Sequence, residues 1–347
     1  MEKTPVHYGD YLELDKILNA QHPESFKKEN IAAHDEMLFI VIHQAYELWF
    51  KQVQFEIDAV IKTLAKSSLD DNSAELKTIV HRLKRVGTIL KLLVQQIDIM
   101  ETMEPMDFLD FRDMLRPASG FQSWQFKKIE ASLGLPFEQR HGQHHYTSQL
   151  KPHEVNIIKE TEAAPTLISL INKWLERMPF IDDPSLWRNY KPVSGDSTAP
   201  LFWNDYEYIY TNSLAEAEKS NEDFFKTVFN DAGKETRQLS AKACRAALFI
   251  MLYHGYPMLE LPFQLLDTLL EIDNHLGNWR YRHMSMVQRM IGTRIGTGGS
   301  SGAGYLKGAM DKHSIFREIA QLNSFLVDRK KLPRLPDELT AKLGYHF

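Results

Sequence analysis

Residues 38–64 read "LFIVIHQAYELWFKQVQFEIDAVIKTL", and the spacing of their apolar side chains decides the fold. Phe39, Ile42, Tyr46, Trp49, Val53, Ile57, Val60 and Leu64 follow one another at steps of three or four. That repeat gathers side chains on one face of an α-helix. A second stripe runs Leu76, Ile79, Leu83, Val86, Leu90, Leu93, Ile97, Met100. Further helical periodicity covers about 121–133, 166–178, 206–229, 237–254, 262–292 and 311–328. The alternation that a half-buried strand requires is scarce. The spacing predicts an all-α fold.

The 347 residues suffice for one large domain or two smaller ones. With 43% hydrophobic and 25% charged residues, the chain can bury a substantial core. Its 41 basic and 46 acidic residues leave −5, which gives no electrostatic case for nucleic acid. The one cysteine, Cys244, excludes an internal disulfide framework, a Cys-x-x-Cys-His haem attachment and a cysteine-rich zinc or iron–sulfur site within the chain. It suits a reducing compartment. The start, "MEKTPVHYGDYLELDK", lacks the apolar core of a signal peptide. The longest apolar run, "AALFIMLY" (246–253), is too short to span a membrane. A cytoplasmic protein without a membrane partner is expected.

Pro, Gly, Ser and Asp crowd together in "PVSGDSTAP" (192–200), which reads as a linker. The polar stretch 138–154 carries His141, His144, His145 and His153; a solvated loop is the ordinary reading, since no acidic or cysteine partners complete a metal site. There is no internal repeat. The organisation expected is one all-α domain over 1–347 with a variable middle section, 138–235.

Several residues could carry chemistry. His283 lies in a helical stripe of Leu276, Trp279, Met286, Val287 and Met290. An imidazole there either hydrogen-bonds quietly or coordinates something, for instance as an axial haem ligand covered by apolar side chains. Arg280, Arg282 and Arg289 nearby are candidates for haem propionates, or simply solvated. His43 has Phe39 and Tyr46 on its helix face, and its alternative is a pair with Glu47 one turn on. His34, with Asp35 and Glu36, reads as a helix N-terminus. Arg112, in "FLDFRDMLRPASGFQS" (108–123), has aromatic walls suited to gripping a carboxylate, or it pairs with an acid such as Asp110 or Asp113. The segment "IGTGGSSGAG" (295–304) lacks the Gly-Lys-Ser/Thr end of a P-loop and follows no strand. A cover over a small ligand fits it better, with Thr297, Ser300 and Ser301 supplying hydroxyls.

Five blocks carry a resemblance: "YGDYLELDKILNAQ" (8–21), "HDEMLFIVIHQAYELWFKQ" (34–52), "DFRDMLRPASGFQS" (110–123), "PFQLLDTLLEID" (262–273) and "WRYRHMSMVQRMIGTRIGTGGSSGAGYL" (279–306). In these, and most specifically in "FRD", "ASGFQS" and "GTGGSSG", the chain resembles the tryptophan 2,3-dioxygenase family; the middle section matches less clearly. The resemblance implies a homotetramer (a dimer of dimers) of helical subunits, each holding one haem b that is active as Fe(II). It implies that L-tryptophan and O2 react to open the indole C2–C3 bond and give N-formylkynurenine, the first step of the kynurenine pathway. By position, His283 corresponds to the proximal iron ligand, with Trp279 beside it on the cofactor. His43 falls at the distal histidine that faces the indole N–H. Arg112 is where the substrate carboxylate is gripped, and Thr297 is where the ammonium is met. Phe39 and Phe108 match aromatic walls; some bacterial relatives carry tyrosine at the latter position, so its phenolic contact is absent here. Tyr8, Tyr11 and Leu12, in the N-terminal segment 1–30, match residues that complete a neighbouring subunit's pocket. Two other readings compete: a relative that adds one oxygen to a modified tryptophan or another indole, and a haem sensor or purely structural helical oligomer.

Overall fold

The computed structural model describes residues 5–66, 74–140, 147–196, 198, 201–230, 237–296 and 313–344. In chain order the helices are α1 (Tyr8–Tyr11), α2 (Leu14–Leu18), α3 (Glu36–Leu64), α4 (Ala74–Met100), α5 (Pro105–Arg112), α6 (Trp124–Leu133), α7 (Pro152–Ala163), α8 (Leu167–Glu176), α9 (Leu201–Thr211), α10 (Asn221–Phe229), α11 (Ala241–Tyr253), α12 (Pro257–Ile291), α13 (Arg317–Gln321) and α14 (Asp337–Leu343). Short 3-10 turns separate them, and the described residues include no strand. The all-α expectation holds. No described helix is long and apolar enough to cross a membrane.

Three long helices form the frame. α4 packs along both α3 and α12, while α11 packs on α12 and α8. The stripe expected for α4 is buried throughout, from Leu76 to Met100. It meets Val53, Ile57 and Val60 of α3 and Leu265, Leu269, Ile272 and Leu276 of α12 in one core. Burying each such side chain stabilises the fold by about 1.5–3 kcal/mol relative to exposure. Ala243, Ala246 and Ala247 are buried on α11, where small side chains allow close helix approach.

Two segments differ from the sequence expectation. The helical stretch 206–229 splits into α9 and α10. Asn212 donates its side-chain amide to the Tyr208 carbonyl at 2.8 Å, and the Ser213 hydroxyl donates to the Tyr210 carbonyl at 2.7 Å. Such side chains compete with the helix ladder and end it. The stretch around 192–200 is stitched down where it is described. Buried Asp205 of α9 accepts from the Ser194 N–H at 2.7 Å and from the Tyr190 hydroxyl at 2.5 Å.

Serine and glycine bound α6. The Ser123 hydroxyl accepts from the Phe126 N–H at its start, and Gly134 closes it in the left-handed region at φ +113°. A Cβ on Gly134 would lie 2.3 Å from Cγ2 of Ile168 on α8. Gly134→Ala is therefore expected to cost on the order of 1–3 kcal/mol, through left-handed strain and the clash together. Denaturant unfolding measures it, and an unchanged midpoint would contradict this close packing.

Candidate active site

α3, α5, α6 and α12 surround a chamber of about 300 Å³. His43 enters from α3 and His283 from α12, so residues 240 positions apart in sequence meet in one cavity. Trp279 lies parallel to the His283 ring, with centroids 5.1 Å apart and planes 7° apart, and Phe126 packs behind Trp279 at 4.9 Å. On the other side Phe39 contacts His43 at 4.2 Å and Phe108 at 5.7 Å, while buried Phe111 supports both phenylalanines.

The two imidazoles are prepared differently. His43 Nδ1 lies 2.7 Å from the Phe39 carbonyl. A carbonyl only accepts, so Nδ1 carries the proton, and in the neutral ring Nε2 keeps a lone pair. Burial lowers the His43 pKa, opposed by that hydrogen bond and by Glu47. Glu47 does not pair with His43: the Gln125 side chain donates to its carboxylate at 2.8 Å and to its carbonyl at 3.0 Å. His283 Nδ1 is enclosed and meets no hydrogen-bond partner. Burial, reinforced by His43, pushes the His283 imidazole down to about 4. The ring is held neutral, the form that binds a metal.

Arg112, at the end of α5, is 5% exposed and lines the chamber. Its guanidinium donates to the Ile295 carbonyl, and its Nε meets no partner. Asp113 pairs with Arg116 at 3.2 Å, and no ion pair joins Arg112 to Asp110 or to another described acid. Of the other arginines, Arg282 turns to Asp98 of α4 and to Glu101 just beyond it, at 2.7 and 3.1 Å. Arg289 does not line the chamber, whereas Arg280 does. Arg280 donates to buried Glu130 at 2.8 Å and to the His313 carbonyl at 3.1 Å, and His313 Nδ1 also reaches Glu130 at 3.1 Å. Burial alone would raise the Glu130 carboxyl; His313 and Arg280 outweigh it and hold the group ionised, well below the usual range. Burial pushes the neighbouring Lys127 ammonium down to about 8.

Lys127, Glu130 and His313 were not singled out from sequence. Their signal is a register conflict: Glu130 falls one turn from Phe126 and Leu133, on the face α6 turns to the core. Thr297 and most of the glycine segment lie outside the described residues, as do His141, His144 and His145. Gly296, at the edge of that segment, lines the chamber. Tyr8, Tyr11 and Leu12 are 72%, 75% and 36% exposed and take no part in this chain's own chamber. His34 sits in the turn before α3, where buried Glu36 accepts the Glu24 and Ser25 N–H groups, both at 2.8 Å.

Among the described residues no three His, Cys, Asp or Glu side chains come together around a bare ion. A lone neutral imidazole suits an iron that arrives with its own in-plane ligands, as in haem. The neutral His283 ring and the apolar walls are compatible with a flat macrocycle of that kind. Fold and chamber thus define an all-helical protein with an enclosed, largely apolar cavity lined by two histidines and buried cations.

The sequence model of the family described as tryptophan 2,3-dioxygenase matches residues 1–326 and so spans the middle section too. The chain is 43% identical to the tryptophan 2,3-dioxygenase of Alteromonas mediterranea, covering 99% of this chain and 98% of that one. It is 40% identical to that of Bdellovibrio bacteriovorus over the full length of both, and 42% identical to that of Xenopus laevis over 96% and 85%. The chain belongs to the tryptophan 2,3-dioxygenase family.

The shifted His283 has a measurable consequence in the haem-free chain. The unfolded state takes up the proton near pH 6.5 and the folded state only near 4. Stability therefore falls as pH drops from about 6.5 towards 4, by at most about 1.4 kcal/mol per pH unit from this group. Chemical unfolding across that window should show a shallower slope in His283→Leu; an identical slope would contradict the assignment.

Proposed function

We propose that this chain is a haem-dependent dioxygenase that opens the indole C2–C3 bond of L-tryptophan with O2, giving N-formylkynurenine. Both oxygen atoms enter the product, so no external reductant is consumed in turnover. The observation that carries the reading is the chamber itself: two neutral imidazoles and a buried arginine with no carboxylate partner among the described residues share one apolar cavity. His283 would hold haem b, which when bound would supply the O2 chemistry. Trp279 fixes the His283 ring by stacking on it.

The chain's other residues act by position. Arg112 exchanges the Ile295 carbonyl for the substrate carboxylate, a charge-assisted and potentially bidentate contact. Thr297 meets the ammonium, as the family resemblance implies. His43 accepts the indole N–H at Nε2, because its Nδ1 is already spent on Phe39. The indole N–H is too weak an acid to need a strong base, so His43 orients the ring. Phe39 and Phe108 hold the indole plane and exclude water.

We further read the working form as a homotetramer. The N-terminal helices α1 and α2 bury none of their residues in this chain, and Tyr8, Tyr11 and Leu12 would complete a neighbour's chamber. Met37, Val41, Leu48 and Phe55 form an exposed apolar stripe on α3 that a second copy would cover.

The reaction is tested by reducing the haem-loaded protein anaerobically, adding L-tryptophan and O2, and following N-formylkynurenine absorbance. Product gaining two oxygens is expected; product gaining one, or none, overturns the reading. Arg112→Ala should lower kcat/KM for L-tryptophan by about a hundredfold, as expected when a buried charge loses its partner. Unchanged steady-state kinetics would remove Arg112 from the carboxylate role.

A further inference from the structure

A second cavity, of about 770 Å³, shares no residue with the histidine chamber. Three segments build it: 189–193, Tyr208 and Ile209 of α9 with Asn212 just beyond it, and residues 330–338, which run from a 3-10 turn into the start of α14. Hydrogen bonds made or received by its lining residues hold the walls in place. The Tyr190 hydroxyl donates to Asp205 at 2.5 Å, the Tyr253 hydroxyl donates to the Pro333 carbonyl at 2.8 Å, and the Asn189 amide donates to Glu338. The space is therefore preformed, and its volume lies in the range of small-molecule sites.

Its charge is unusual for this chain. Lys191, Lys330, Lys331 and Arg334 line it, and none forms an ion pair with a described residue. Asp337 and Glu338 are the acids among its described lining residues; one Glu338 oxygen accepts from Asn189, and the other is buried without a partner. Four cations thus face two acids in a protein whose net charge is −5. Such a concentration raises the local density of anions. Besides Asn189, Tyr190 and Asn212 the remaining lining is apolar: Ile209, Pro333 and Pro336 are buried in the floor, while Tyr208 and Val193 are 49% and 69% exposed. No aromatic ring among the described residues stacks on Tyr208.

We propose that this cavity binds a small aromatic acid, with its acid groups on the lysines and Arg334 and its ring against Tyr208 and Val193. An inorganic ion would leave the apolar floor wet and most of the volume unfilled. A neutral aromatic would leave four cations unmatched. A flat anion satisfies both surfaces, since guanidinium and ammonium groups take the carboxylate and the phenol ring takes the aromatic face.

The test is calorimetric titration of the haem-loaded, full-length protein with phthalate, benzoate and neutral benzamide, at low and raised salt. Saturable phthalate binding is expected, weaker for benzoate, absent for benzamide and weakened by salt. The Lys331→Ala, Arg334→Ala double variant should lose roughly tenfold or more in affinity, and Tyr208→Ala several-fold. These side chains are exposed, so turnover of L-tryptophan and the far-ultraviolet circular dichroism should match wild type. No saturable binding, equal affinity for benzamide, or undiminished affinity in the charge variant would overturn the proposal. So would loss of phthalate binding in Arg112→Ala with retention in the double variant, which would place the probe in the histidine chamber.

Discussion

The structure depends on keeping one imidazole neutral and unengaged inside a packed helical frame. His283 gives up water on burial and receives no protein hydrogen bond at Nδ1 in return. In an ordinary core such a group is a liability of about 1–3 kcal/mol. Here burial keeps the ring neutral, with a free lone pair, at any pH above about 4. His43 and Arg112, held from α3 and α5, line the same chamber.

The frame has to offset that liability. The chamber walls also hold the buried Glu130–Arg280–His313 cluster and an Arg112 nitrogen without a partner. Buried ion pairs of this kind contribute little net stability, although breaking one is expensive. The surplus comes from the apolar interface of α3, α4 and α12, where the stripes meet with side chains almost wholly removed from water. A consequence is that the chamber can tolerate unsatisfied groups because it lies at the end of the most extensive helix packing in the chain. α12 links the two: Leu276 belongs to the core, and His283, two turns later, belongs to the site.

Much of this was legible before any coordinates. The periodic stripes of α3 and α4 located those helices to within a residue or two, because a long regular repeat admits no other period. His43, His283, Arg112, Phe39, Phe108 and Trp279 came from stripes and family blocks, and the fold brings them to one chamber. What was not legible depends on tertiary partners. The i, i+4 spacing of His43 and Glu47 suggested a pair, but Gln125, 78 residues from Glu47, takes the carboxylate. Arg282 and Arg280 look alike in sequence, yet two positions along a helix turn one to α4 and the other into the chamber. Helix breaks between α9 and α10 depended on side-chain bonds to carbonyls that propensity alone underweights.

The central claim is that His283 is the ligand that iron uses. Resonance Raman spectroscopy of the ferrous, haem-loaded protein tests it most directly. The iron–histidine stretch should be present in wild type, absent in His283→Gly and restored when free imidazole is added. A stretch that persists unchanged in His283→Gly would contradict the account.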